Sequence, residues 1–212
     1  MALLGAAQPD DPGTLAWWIV DFDTVVLGRG SSVAADRAAC AEAGVTVVRR
    51  SSGGGPVLWG PDLLALDVVI PKGHPLHADD IVASYRWLGE ALARAIVHLD
   101  VPARAVEPPS ARGNGDAMGA LACYASLSPW EVVVGNRKVV GLSQVRRRTG
   151  TLLQAGIVMS LDTDRLPGLL ELDDDVRRAL ADTLAKRATG LRDHAALDRD
   201  QVIAAVESTI AP

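Results

Sequence analysis

An α+β fold, with a mixed or antiparallel sheet flanked by helices, follows from three features of the sequence. The β-prone runs at 131–134 and 138–140 are joined by Gly135 and Asn136 in a hairpin connection, so at least one strand pair is antiparallel and local. The helical periodicities are clustered, one mid-chain and two at the end, whereas a parallel sheet needs helices alternating strictly with strands. A length of 212 residues, 49% hydrophobic and 22% charged, suits one well-filled core.

Residues 1–14 mix Pro, Asp and Gly without an apolar period and are expected to be a loose leader, leaving 15–212 as a single domain. Dense Trp, Ile and Val at 17–27 predict one or two strands broken near Asp21 and Asp23. Ser31 and Ser32 offer an N-cap to an alanine-rich helix over 33–43, with Gly44 at its C-terminal end. A short strand over 45–49 leads into three consecutive glycines. The unbroken apolar run at 63–70 predicts a strand buried on both faces, stopped by Pro71. Asp79 and Asp80 open the clearest helix, because Ile81, Tyr85, Leu88, Leu92 and Ile96 fall on one face. The stretch 108–120 is too rich in Pro, Gly, Ala and Ser to be expected in the core. A further strand over 151–159 precedes amphipathic helices over 173–186 and 198–210, joined through Thr189, Gly190 and Leu191. No internal repeat is visible.

Composition excludes several functions. A net charge of −5 gives no basic face for a phosphate backbone, so nucleic acid is not an expected partner. No apolar run is long enough to span a bilayer, and the first residues lack a signal peptide's charged start and apolar core. The cytoplasm is the expected compartment, without membrane association. Two cysteines, Cys40 and Cys123, imply free thiols, with Cys40 a buried helix residue. His74, His77, His98 and His194 have no metal-ligand spacing, so no metal site is expected. Arg146, Arg147 and Arg148 read as a solvated loop in preference to an anion-binding patch. No Walker loop or dinucleotide fingerprint is present.

Two segments carry the candidate chemistry. The first runs Arg49, Arg50, Ser51, Ser52, Gly53, Gly54, Gly55, Pro56, Val57. Three residues without Cβ atoms make either a flexible turn or a backbone wall against which a thin chain lies. Neighbours in a strand point oppositely, so one of the two arginines faces the pocket side, where a guanidinium holds a carboxylate or phosphate. The second segment runs from Gly135 through Lys138, Gly141 and Ser143 to Gln144. Its lysine either points to water or sets one positive charge at fixed depth in a pocket. Cys123 is either a small apolar filler or a nucleophile.

Together the segments resemble the lipoate-protein ligase A and octanoyltransferase family, whose patterns read roughly RRxSGGGxV and GRKxxGSAQ. The resemblance implies a biotin/lipoate-ligase-type domain that attaches a lipoyl or octanoyl group to a lysine of a lipoyl carrier domain or a glycine cleavage H-type protein. It places Lys138 on the acyl carbonyl as oxyanion stabiliser, and Arg49, Arg50, Ser52, Gly53, Gly54, Gly55, Gly141 and Ser143 around the substrate, with the glycines lining the acyl channel. Ala122, Cys123 and Tyr124, then Ser128 and Glu131, are similar to the ACF and SxxE pattern of the octanoyltransferase branch, where the cysteine carries the acyl group as a thioester and acyl carrier protein is the donor. That is the favoured mechanism. The alternatives are an ATP- and magnesium-dependent ligase passing through an acyl-adenylate, and a non-catalytic acyl- or carrier-binding module. No tightly bound cofactor is expected, with lipoate or octanoate as the substrate group. Four departures from the family are visible. Trp59 and Ala155 stand where members carry histidines, Trp130 and Glu131 replace an Asn-Asp pair of the ligases, the third glycine is kept where transferases tend to replace it, and the length leaves no room for a C-terminal accessory domain.

Overall fold

The computed structural model describes residues 4, 5, 8, 11–108 and 117–210. Its larger sheet has six antiparallel strands in the order β1 (Thr14–Trp18), β5 (Leu63–Pro71), β9 (Gly150–Val158), β8 (Arg137–Arg147), β7 (Val132–Val134) and β6 (Ala103–Ala105). A smaller sheet sets β2 (Thr24–Leu27) between β3 (Thr46–Arg49), parallel to it, and β4 (Val57–Trp59), antiparallel. The expected α+β class, mixed and antiparallel, is what the chain adopts.

The run expected at 63–70 is β5, and its alternation divides the core in two. Leu64, Leu66, Val68 and Ile70 face α2 (Arg86–Val97) and α5 (Arg199–Ile210), packing with Leu88, Leu92, Ile96, Val202 and Val206. Leu63 and Ala65 face the smaller sheet and α4 (Asp174–Arg187), packing with Val25, Val57, Tyr124, Leu180 and Leu184. A strand buried on both faces reads as continuously apolar for this reason. Its one interruption on the second face, Asp67, is held by Gln154 across the strand pair at 2.9 Å and by the Trp18 indole at 3.0 Å. The last two helices match the expected ranges to within a residue or so. Among the described residues no helix is long and apolar enough to cross a membrane.

Several expectations are corrected. The helix read at 33–43 is shorter, α1 (Arg37–Glu42), and its cap is Asp36, which accepts from the Ala38 and Ala39 amides, in place of Ser31 or Ser32. Long-range pairing wins over local propensity here, because Ala35 bridges to Leu170 and the Asp36 amide donates to the Leu169 carbonyl. Gly44 does take the left-handed conformation, at φ 67°. Asp80 caps a single 3-10 turn, Ala83–Tyr85, and the α-helix begins only after it. In the small-residue stretch, Ala117–Leu121 forms a short helix, α3, while 109–116 lie outside the described residues. Arg146 and Arg147 end β8 and are not a loop, with Arg146 donating to the Ala78 carbonyl at 2.6 Å. Within the expected leader, Leu4 is fully buried against Val69, Val145 and Leu152. Cys40 is buried, and burial raises its thiol pKa.

Candidate active site

The β7–β8 hairpin builds the centre of the site through an irregularity. Val133 pairs with Lys138 and Val132 with Val140, so Val139 is an extra residue bulged out of the ladder. Side chains alternate along a strand, and a regular ladder would put Lys138 and Gly141 on opposite faces. The bulge restores the phase and aims Lys138 to the same side as Gly141. A Cβ on Gly141 would lie 3.2 Å from Lys138 Cε and 3.4 Å from Nζ.

Lys138 does not point to water. It is 1% exposed, and its Nζ donates to Glu131 Oε1 at 2.7 Å, the Cys123 carbonyl at 2.9 Å and, most weakly, the Ser126 carbonyl at 3.4 Å. These acceptors account for all three ammonium protons. The Tyr124 ring centroid lies 5.0 Å from the same nitrogen. Glu131 is equally buried, with Oε1 also accepting from the Leu142 amide at 3.1 Å and Oε2 from the Ser128 amide at 2.7 Å. A buried ion pair persists only when the remaining donors and acceptors are matched, and here both partners are. Trp130, directly before Glu131, sits at φ 69°, a strained conformation for a bulky residue.

Cys123, partly exposed, opens the 3-10 turn Cys123–Ala125. Its amide donates to the Pro56 carbonyl at 2.8 Å, its carbonyl accepts from Lys138, and Arg187 donates to the Ala125 carbonyl at 2.9 Å. The turn is thereby fixed from the glycine loop, from the hairpin and from α4. Gly55 completes it, because a Cβ there would meet the Ala122 carbonyl carbon at 2.9 Å and the Cys123 nitrogen at 3.1 Å.

The glycine run lies directly beside this turn. A cavity of about 40 Å³ beside Cys123 is bordered by Arg50, Trp59, Gly141, Ser143, Gln154 and Ala155, but not by Gly53, Gly54 or Gly55. The glycines form a turn whose Gly53 and Gly55 carbonyls accept from Arg50 Nη2 at 2.7 and 3.1 Å, with Gly54 at φ 96° and Gly28 packed on its backbone. The two arginines do diverge: Arg50 borders the cavity and Arg49 donates to the Gly28 carbonyl at 2.9 Å. Ser52 is buried behind the cavity, its hydroxyl 3.4 Å from that of Ser143. Gly55→Ala should lower stability by about 1–3 kcal/mol, since the methyl displaces backbone and not a flexible side chain. Denaturant melts check the effect.

Two residues outside the expected site complete it. Glu131 stands three positions after Ser128, the spacing by which its carboxylate reaches the Ser128 amide, and that spacing was the signal available in the sequence. Tyr124 lies across the cross-strand pair Gly141 and Gly156, donating its hydroxyl to the Gly156 carbonyl at 2.7 Å. A Cβ on Gly156 would come within 2.8 Å of that hydroxyl, so the flat glycine pair is what admits the ring. Burial raises the phenol's pKa well above the ordinary tyrosine value and keeps it a neutral donor.

Residues 2–211 match the family model of the lipoyl protein ligase A/B catalytic domain. The chain belongs to this family. Among curated relatives it is 32% identical over 196 residues to octanoyltransferase LipM of Kyrpidia tusciae, covering 90% of this chain and 71% of the relative. To octanoyltransferase LipM of Moorella thermoacetica it is 32% identical over 195 residues, covering 90% and 70%. Its fold is that of a bi-partite lipoate protein ligase from Thermoplasma acidophilum, at a TM-score of 0.79, 22% identity, 98% of this chain and 73% of that one. A lipoate-protein ligase A bound with ATP superposes at a TM-score of 0.74 with 22% identity, covering 98% and 75%. Membership makes the chain an enzyme of the acyltransferase and ligase group.

Proposed function

We infer that this enzyme transfers an octanoyl or lipoyl group to a lysine of a lipoyl carrier domain, or of a glycine cleavage H-type protein, through a thioester on Cys123. The observation that carries the reading is a partly exposed thiol on a turn pinned at three points, one of them Lys138, in a chain whose relatives are named octanoyltransferases. In the first half-reaction Cys123 Sγ attacks the acyl carbonyl of a thioester donor such as acyl carrier protein, and the donor leaves as its thiol with the proton from Cys123. In the second, the carrier lysine's amine attacks the Cys123 thioester, the amide forms, and the amine's proton returns to the departing sulfur.

Lys138 is the oxyanion donor. The space above Gly141 that a Cβ would fill is 3.4 Å from Nζ, and an acyl oxygen placed there exchanges for the weakest existing bond, to Ser126. Arg50 and Ser143 border the acyl group on the cavity side.

The ligase alternative fits less well. A magnesium nucleotide needs carboxylate oxygens free to take the metal. Glu131, which replaces a residue of the ligases' Asn-Asp pair, has both oxygens engaged by Lys138, Leu142 and Ser128. Intact mass of the protein after mixing with octanoyl carrier protein, and separately with lipoate, ATP and magnesium, discriminates. An octanoyl adduct on Cys123 in the first mixture is expected; retained acyl-adenylate in the second, with no adduct in the first, overturns the thioester route.

A further inference from the structure

Acyl transfer to a lysine needs a neutral amine, whereas a lysine side chain in water stays an ammonium up to a pH of about 10.4. Something at the site must take the extra proton. Lys138 cannot, because its own three protons are all in place and bound. Glu131 is buried with both oxygens engaged, and Tyr124 is a neutral donor with its hydroxyl on the Gly156 carbonyl. Resting on the thioester reading, we propose that Asp67 receives the ammonium of the incoming carrier lysine and takes its proton before the amine attacks the Cys123 thioester.

Asp67 borders the cavity beside Cys123, and among the described residues on that border it is the one carboxylate. Strand register places it. Gly141, Gly156 and Ala65 form one cross-strand row of β8, β9 and β5, and Ser143, Gln154 and Asp67 form the next row on the same face. Two residues along a strand span about 6.6 Å. Tyr124, next to Cys123, lies over the glycine row, so Asp67 stands one row from the thioester. The cavity of about 40 Å³ takes about three water-sized groups, at roughly 10–15 Å³ each, which suits an acyl carbonyl and an amino group together.

Gln154 donates to Asp67 Oδ1 at 2.9 Å and the Trp18 indole to Oδ2 at 3.0 Å. Both donors are neutral, so they fix the carboxylate without cancelling its charge, and each oxygen keeps a lone pair for an ammonium proton. The other charged or titratable groups on the cavity are Arg50, Cys123 and Tyr124, and the Arg50 guanidinium favours the uncharged form of an amine in the same space. One proton passes from the lysine nitrogen to Asp67, leaving a neutral amine and a neutral carboxyl. The flexible four-carbon stem then brings the amine to the thioester carbonyl. The N–C bond forms, the C–S bond breaks, and the amine's second proton goes to Cys123 Sγ. Asp67, half-buried beside the exposed Trp18, returns its proton to water.

The test loads Cys123 from octanoyl carrier protein and then adds saturating lipoyl carrier domain, following both proteins by intact mass in single turnover across pH. Asp67→Asn keeps the side chain's shape and an acceptor for Trp18; Asp67→Thr, suited to a strand, removes the charge in a second way. Each should acylate Cys123 at the wild-type rate, which also reports an intact fold. Passage to the carrier lysine near neutral pH should fall on the order of 10²–10⁴-fold. That deficit should shrink as pH rises towards about 10.4, where the lysine loses its proton unaided. Hydroxylamine, an amine uncharged near neutral pH, should discharge variant and wild-type thioesters equally. Variants that serve the carrier at the wild-type rate, or that are equally slow with carrier and hydroxylamine at every pH, overturn the proposal while the thioester reading stands. Absence of any adduct on wild-type Cys123 overturns both.

Discussion

Replacing either Glu131 or Lys138 by alanine should cost about 3–5 kcal/mol of folding stability, a large share of the 5–15 kcal/mol that holds a typical domain together. Each substitution strands the partner's charge in a site where both side chains are 2% exposed or less. Lys138→Ala leaves Glu131 with only the Leu142 and Ser128 amides, and Glu131→Ala leaves an ammonium facing backbone carbonyls. The double variant Glu131→Leu, Lys138→Met should recover much of the loss, because an apolar pair of similar volume removes the stranded charge. Catalysis should not recover with it: on the oxyanion-donor role proposed for Lys138, transfer should fall on the order of 10²–10³-fold. Urea denaturation of the three variants beside single-turnover acylation separates the two roles. Single variants within about 1 kcal/mol of wild type would show that the pair is not structurally coupled.

This coupling was hidden in the sequence for a physical reason. A lysine in a predicted hairpin, read locally, is a residue whose removal leaves the fold intact. Only the bulge at Val139 decides which face Lys138 takes, and a one-residue shift of register has no signature in composition or periodicity. The partner, Glu131, is seven positions away across the turn, where no helical or strand spacing pairs two side chains. What was legible is what local periodicity encodes: the two-sided burial of β5, the hairpin, and the helices Asp174–Arg187 and Arg199–Ile210. The motif residues were legible as a set, and the structure does gather Arg50, Cys123, Gly141 and Ser143 around one cavity with Lys138 beneath it. Their division of labour was not. Glycines without side chains fit a ligand wall and a backbone-packing joint equally well on paper, and the close approach of Gly55 to the Cys123 turn shows only in the folded chain.

Cys123→Ser should abolish transfer, lowering its rate by several orders of magnitude while leaving the fold intact. Serine is nearly isosteric with cysteine, and the contacts that pin the turn are all made by backbone atoms of residues 123 and 125, which the substitution keeps. What changes is the nucleophile: a serine hydroxyl is far less ionised at neutral pH than a thiol, and an oxyester, once formed, is a poorer acyl donor to an amine than a thioester. A slowly accumulating octanoyl-serine of correct mass, passed on poorly to the carrier lysine, is the expected trace. Cys40→Ser supplies the control, since it changes the other thiol at a buried site whose Sγ lies 3.7 Å from the Leu169 carbonyl. It should lower stability modestly and leave the chemistry alone. Under an adenylate route no sulfur is needed, and Cys123→Ser would remain active with lipoate, ATP and magnesium. Full lipoylation of the carrier by that variant would eliminate the thioester and leave Lys138, buried beneath the turn, as the centre of a different reaction.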